Sequence, residues 1–354
     1  MLERLDLTDF RNHAQLRFSP QKRFIVLYGA NGAGKTNILE AVSLFVPGRG
    51  LRRAALHEMA RSEGAGGFSV AAEAFGSSFG TAVQPSASNR RQVRINGANA
   101  AINDLASRFA ILWLTPAMDR LFAEGASARR RFFDRLVLAL HPGHAQHATR
   151  YENALKQRNR MLGEGQRDAG WFDAIEARLA EHGAAMTAAR NDVLKRLGDA
   201  IATMPPSPFA KPLLTLRGDA MEDADALAAA LRNGRPRERA AGRTLFGPHR
   251  SDLHVHHAGH GQPAAHCSTG EQKALLLSII LAHSGLVAAI RGAPPILLLD
   301  EVAAHLDPDR RAALFERLLD TGSQVWMTGT EASLFDAAGA DAMPVHVAEG
   351  KLDW

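Results

Sequence analysis

The stretch YGANGAGKTN, Tyr28 to Asn37, follows the β-rich run RFIVLYG and opens a helical pattern that continues to Phe45. Gly29, Gly34, Lys35 and Thr36 fit G-x-x-x-x-G-K-[ST], and a strand before with a helix after is the context that pattern requires. Gly29, Ala30, Asn31, Gly32, Ala33 and Gly34 then form a loop whose backbone N–H groups turn inward on phosphate, where the helix start adds positive potential. Lys35 is expected to reach the β and γ phosphates and Thr36 to ligate Mg²⁺, with Asn37 counted among the nucleotide-binding residues.

Such a loop needs an acidic strand end. The segment ILLLDE, ending in Asp300 and Glu301, is a continuous apolar run closed by two carboxylates, the pattern of a buried parallel strand with its polar end at a site. Asp300 is suited to orient Mg²⁺ or its water, and Glu301 to polarise an attacking water as general base.

Between these two elements the patterning changes twice. Residues 1–115 read as mixed α/β: LERLDL, AQLRF, FSVAAEAF, RQVRINGANA with an Asn96-Gly97 turn, and FAILWLT. After Pro116 the apolar spacing becomes three and four through RRRFFDRLVLAL, ATRYENALKQRNRML and WFDAIEARLAEHGAAMTAARNDVLKRL, and MPPSPFAKP ends the run. PLLTLRG, a helix in DADALAAALRN, the sheet-like TLFGPHRSDLHVHH, a helix near Ser268, PILLLDE, DPDRRAALFERLLD and QVWMTGT follow. Strand, helix, strand, helix, strand implies parallel crossovers. The expected organisation is an ATPase lobe from 1–115 and 210–354, with a helical lobe inserted at 116–209.

The chain has 354 residues, formal charge +5 and one cysteine, Cys267, which excludes an intramolecular disulfide framework and any zinc site built on several thiolates. No run of 18 apolar residues occurs, and the charged start MLERLDLTDF is unlike a signal peptide, so a cytoplasmic protein without membrane contact is expected. Arginines cluster at 49–53, 90–94, 129–131 and 235–239, which suits phosphate backbones but also solvated helix faces. Histidines in HPGHAQH and HVHHAGH lack carboxylates at helical spacing and read as surface groups. Trp113 and Trp171 read as core residues.

CSTGEQKALLLSI places Ser268, Thr269 and Gly270 before an apolar helix, with Glu271 three residues after Ser268, as in a capping box. Alone it is a helix start. Upstream of Asp300, its hydroxyl and free N–H groups can bind a γ-phosphate held by a second chain.

The order of DFRN, GANGAGKTN, GPHRSDL, STGEQK, LLLDE and HLD resembles the RecF family, relatives of SMC-type and ABC-type ATPases, across essentially the whole chain. The resemblance implies an ABC-type P-loop ATPase head, α/β with mixed and parallel sheet and flanking helices, carrying the helical lobe. It implies ATP with Mg²⁺ between two protomers, an ATP-dependent homodimer that clamps double-stranded and gapped DNA, and recombinase loading with RecR and RecO. By position, Lys35 and Thr36 belong to the phosphate loop, Ser268 and Gly270 to a signature acting in trans, Asp300 and Glu301 to the acidic pair, and Asp307 to the loop facing the partner. Arg11 and Asn12 would sit beside the nucleotide. Thr328 and Thr330 stand where many ABC engines place a histidine, which implies slow hydrolysis. Gln84 and Gln92 are the candidates for a glutamine loop. With two protomers closed, Arg129, Arg130, Arg131 and Arg135 are the leading nucleic-acid contacts. A transporter's ABC engine shares the three motifs, and a P-loop kinase needs only the first.

Overall fold

The computed structural model describes residues 1–218 and 221–354. In chain order its strands and main helices are β1 (Leu2–Phe10), β2 (His13–Phe18), β3 (Phe24–Tyr28), α1 (Lys35–Ser43), β4 (Phe68–Ala74), β5 (Ser77–Val83), β6 (Arg91–Ile95), β7 (Ala98–Ala100), α2 (Ile102–Arg108) and β8 (Ile111–Leu114). There follow α3 (Ala126–Leu140), α4 (His144–Gly163), α5 (Ala169–Ala202), β9 (Pro212–Arg217), α6 (Ala224–Ala241) and β10 (Asp252–His257). The chain closes with α7 (Thr269–Arg291), β11 (Ile296–Leu299), α8 (Pro308–Asp320), β12 (Gln324–Gly329), β13 (Ala342–Ala348) and β14 (Lys351–Asp353).

Two compact units emerge. The first comprises Met1–Asp119, Pro205–Phe209 and Ile280–Trp354. It holds an antiparallel sheet in the order β2-β1-β4-β5-β6-β7 and a second sheet in the order β14-β13-β3-β12-β11-β8. In the second sheet β13, β3, β12, β11 and β8 all run parallel. Those five strands therefore end on one edge, which is where ligands of parallel sheets bind. The strand Ile296–Leu299 is buried on both faces, which explains its unbroken apolar run. Asn96 and Gly97 both take positive φ and join β6 to β7, as their turn chemistry requires. Arg91, nearly buried, donates to the carbonyls of Leu44, Val46 and Gly48 and so holds the chain leaving α1. The short helix α2, strand β5 and the terminal hairpin β13–β14 have no counterpart in the sequence reading.

The second unit comprises Arg120–Met204 and Ala210–Ile279. The stretch from Ala210, read from the sequence as part of the ATPase lobe, thus packs with the helices. β9 and β10 pair only with each other, and α3 is pinned to β10 where Arg129 forks onto both carboxylate oxygens of Asp252 at 2.8 and 2.7 Å. Only the later part of α7 belongs to the first unit. By length and composition α7 could cross a membrane, but 72% of its apolar window is buried, as in a core helix. Helix α6 runs on past Arg235 to Ala241 with Pro236 inside it, longer than proline's usual effect on a helix allows.

Buried charges knit the helical unit. Arg158, wholly buried, donates to Glu176, to the Thr244 hydroxyl and to the Leu231 carbonyl, and pairs with Glu238. The GPHR segment is fastened here as well. Arg190 donates to the Pro248 carbonyl, the Tyr151 hydroxyl donates to His249 Nδ1 at 2.8 Å, and a Cβ on Gly247 would lie 2.5 Å from that hydroxyl. His249 and Gly247 therefore serve as a latch between α4 and the loop before β10.

Burial, with Arg250, Arg130 and Arg158 nearby, pushes the His249 imidazole down to about 4 from its ordinary 6.5. The unfolded chain then takes up a proton as pH falls through 6.5 while the folded chain resists until about 4. The stability this histidine contributes is complete above that upper value and drains away across the window. In urea titrations, the advantage of the native chain over His249→Gln is expected to shrink by up to about 2 kcal/mol between pH 7 and pH 4.5. An unchanged difference across that range would remove the latch from the pH dependence.

Candidate functional site

The phosphate loop leaves β3 at Tyr28 and enters α1 at Lys35. Three of its glycines take positive φ: Gly29 at 145°, Gly32 at 84° and Gly34 at 109°. Two of them also have no room for a side chain. A Cβ on Gly29 would lie 2.3 Å from the Val347 carbonyl oxygen, and one on Gly34 would meet the Asn12 amide at 2.6 Å. Lys35 is buried, and its ammonium donates to the carbonyls of Gly29 and Ala30 at 2.6 and 2.9 Å. Burial lowers its pKa, opposed by the charges of Glu301 and Asp300.

The acidic strand end comes to the same place. Asp300 Oδ1 accepts from the Thr36 hydroxyl at 2.9 Å and from the Thr328 hydroxyl at 2.8 Å. The Thr328 oxygen in turn accepts the Glu301 N–H at 2.9 Å. Thr328, on β12, thereby holds both carboxylate residues that follow the adjacent parallel strand β11. Glu301 has φ 54°, an unfavourable backbone for a non-glycine residue and one that recurs at functional sites. The loop and acidic pair predicted from sequence are thus brought together, and Thr328 completes them.

Of Arg11 and Asn12, Asn12 borders the loop. Asn12 donates to the Ala33 carbonyl and accepts from the Asn37 amide, and Arg52 donates to Asn37 Oδ1 at 2.6 Å. Arg11 is committed within the protein, forking onto the fully buried Glu40 and donating to the Glu58 carbonyl. From the other side the terminal hairpin supports the loop: the Gly350 N–H donates to the Ala33 carbonyl at 3.3 Å. His13, fully buried, is hydrogen-bonded to Gly350 O at 2.8 Å with its other ring nitrogen 3.4 Å from Gly34 O, and burial lowers its pKa. A cavity of about 330 Å³ is lined by Ala30, Asn31, Gly32, Ala33 and residues 346–349 of this hairpin.

The remaining predicted residues occupy other places. Ser268 and Gly270 belong to the helical unit, where Ser268 N–H and hydroxyl both donate to Glu271 Oε2 at 2.8 Å and the Glu271 N–H donates back at 3.3 Å. That is the capping box read from sequence. Asp307 caps α8 by accepting the Arg310 N–H. Gln84 donates to Gln92 across β5 and β6. Among the candidate nucleic-acid contacts, Arg129 is held by Asp252 and Arg130 donates to the Ser251 carbonyl. Arg135 is half-buried over the Phe132 ring, and Arg131 is exposed. Trp113 is buried as expected, whereas Trp171 is 61% exposed, contrary to the sequence reading.

His257, His260 and Glu271 place one potential ligand atom each within 4.8 Å of the others. The two imidazoles, however, stack at 3.9 Å with planes 11° apart, so their in-plane lone pairs run side by side and cannot meet at one ion. Their Nδ1 atoms also accept backbone N–H groups from Gly259 and Gln262. The cluster is a hydrogen-bonded brace.

Chemically, the first unit offers a nest of N–H groups, a buried ammonium, and a hydroxyl and a carboxylate 2.9 Å apart as hard oxygen donors, a set that fits nucleotide phosphates with a divalent cation. The RecF/RecN/SMC N-terminal domain family matches residues 1–351. The DNA replication and repair protein RecF of Brucella suis biovar 1 is 47% identical over 367 residues, covering 99% of this chain and 95% of that protein. Its namesake from Rhizobium rhizogenes is 48% identical over 366 residues, covering 99% and 98%. Among solved structures, the recombination mediator protein RecF-ATPrS of the RecFOR pathway superposes with TM-score 0.84 at 21% identity, covering 100% of this chain and 97% of that one. An SMC head bound to the winged-helix domain of ScpA gives 0.57 at 16% identity, covering 99% and 96%.

Replacing Thr328 by valine keeps the shape and removes the hydroxyl, leaving the Glu301 N–H without its partner. Thr328→Val is expected to lower unfolding free energy by about 1–2 kcal/mol, while Thr328→Ser stays within about 0.5 kcal/mol of the native chain. Equal stability of the valine and native chains in denaturant would show that this hydroxyl does not hold the strand ends.

Proposed function

The chain belongs to the RecF family, and on that premise we propose that it is an ATP-dependent DNA-binding protein of recombinational repair and replication-gap processing. In this reading ATP pairs two protomers into a clamp on duplex or gapped DNA, and slow hydrolysis opens it. The closed clamp assists recombinase loading together with RecR and RecO. A cytoplasmic site of action agrees with the single, unpaired Cys267.

The observation that carries the reading is the convergence of Thr36 and Thr328 on one oxygen of Asp300, because it joins the phosphate loop to the acidic strand. Lys35, buried and held by two loop carbonyls, is positioned to exchange them for phosphate oxygens. A bound Mg²⁺ would neutralise phosphate charge, and Thr36 with Asp300 would hold it. Glu301 would take a proton from the water that attacks the terminal phosphate. Thr328 neither takes a proton nor carries positive charge at that step, and its hydroxyl is already engaged by Asp300 and Glu301, which favours slow turnover.

Ser268 enters from a second copy. To donate to a phosphate its hydroxyl must leave Glu271 Oε2, which keeps the Ser268 N–H as its remaining donor. A site complete only when two chains meet makes ATP favour the dimer by its differential affinity, and loss of the terminal phosphate removes that preference.

Glu301→Gln is expected to lower ATP hydrolysis at least about 100-fold while keeping ATP binding. Sedimented with a labelled gapped duplex, this variant should form a DNA-bearing dimer with ATP and none without it. Raising salt from 50 to 200 mM should weaken the DNA complex about 10³-fold or more. A chain that stays monomeric and ignores DNA in both conditions would sink the clamp reading.

A further inference from the structure

The helical unit carries an aromatic surface that neither its core nor the nucleotide site uses. Trp171 stands in the first turn of α5 with 61% of its surface exposed, the highest value among the large hydrophobic residues described. The exposed Trp354, by contrast, packs edge-on against Phe18 at 5.2 Å. Next to Trp171, Phe172 is fully buried and carries the guanidinium groups of Arg235 and Arg239 over its ring at 5.3 and 5.4 Å. Asp173 is reached by Arg232 at 3.4 Å and by Arg235 at 2.5 Å. An arginine row of α6, at helical spacings of three and four, therefore runs beside the first turn that presents the indole.

The α6 segment itself is strongly basic, whereas on the α5 side the acids Asp168 and Asp173 flank the indole. From Arg232 to Arg243 five arginines stand against a single acid, Glu238, which is buried against Arg158. Arg232, Arg237 and Arg243 are exposed, as is Arg167 in the connection that leads to α5. Arg232 pairs with Asp173 at 3.4 Å, and on α3 Arg129 and Arg130 are bound to Asp252 and Ser251 within the fold.

We propose that this end of the helical unit is a docking surface for single-stranded nucleic acid, with Trp171 as the platform on which one unpaired base stacks and the exposed arginines between Arg232 and Arg243, on α6 and just after it, as phosphate contacts. A flat indole in water beside guanidinium groups matches a ligand that offers a π-face and a phosphate together. A single strand offers both. Duplex bases are already stacked on one another, so an indole on a helix surface has no face to take. The inference rests on the DNA-binding reading above and adds to it a strand preference: a gapped substrate would meet this surface with its unpaired segment.

The test measures binding of a labelled dT20 oligonucleotide and of a blunt duplex to the full chain by fluorescence anisotropy, with ATP present. Trp171→Ala is expected to weaken dT20 binding by about 5- to 100-fold while duplex binding changes less than about twofold, and Trp171→Phe should recover most of the affinity. Arg243→Glu should flatten the salt dependence of dT20 binding by about 0.7 in log–log slope for each phosphate that is no longer neutralised. Because the indole is exposed, Trp171→Ala should keep the native melting temperature, and Arg243→Glu gives a second readout if it does not. Unchanged dT20 affinity in both variants, with ATP-dependent duplex binding intact, would overturn this surface and leave the clamp reading standing; an aromatic site for a protein partner would give that result. Failure of the native chain to bind either DNA would overturn both.

Discussion

One oxygen of Asp300 accepts two hydroxyls, from Thr36 at the start of α1 and from Thr328 at the end of β12. Those residues lie 264 and 28 positions away along the chain. The parallel register makes the meeting possible, since Leu299 pairs with Met327 and Thr328 with Leu27 across three adjacent strands. A carboxylate only 7% exposed needs hydrogen-bond donors in place of the water it has lost. The same bonds that satisfy it aim the phosphate loop, the acid and its neighbour at a common point. Stability and function at this edge therefore depend on one set of contacts.

The loop itself is held from both sides by backbone approach. Gly29 and Gly34 are indispensable less for flexibility than for space, because the Val347 carbonyl and the Asn12 amide occupy what a side chain would fill. The terminal hairpin acts on the loop through its Gly350, both directly and by way of His13. On the α1 side, buried Glu40 gathers Arg11 and Arg52. A nest of N–H groups is useful for phosphate only if the loop cannot collapse onto its own carbonyls, and these braces oppose that collapse.

In the helical unit arginine serves two purposes that composition cannot separate. Arg158, Arg190 and Arg235 are buried in forks with carboxylates, where their planar donors suit bidentate pairing. Removing Arg158 would leave buried Glu238 without that cation, whereas Glu176, which Arg158 and Arg235 share, would keep one partner if either were lost. Arg232 and Arg237 of α6 and Arg243 just after it, of the same local composition, face solvent instead. The difference arises from which helix lies opposite.

By itself the sequence determined the phosphate loop, the acidic strand, the parallel crossovers and the run of long helices, because each is written in consecutive residues: a glycine spacing, an apolar run, a period of 3.6. It also determined the capping box at Ser268, since that bond closes within four residues. Tertiary structure alone decided that Thr328 unites the two acids, that Gly350 and His13 brace the loop, that Arg129 and Arg130 turn inward, that Trp171 turns outward and that Ala210–Ile279 joins the helices. Most of these depend on partners far away in the chain, and the side chain's exposure depends on what packs over it. A residue type states what bonds a group can make, and only the fold supplies the atom at the other end.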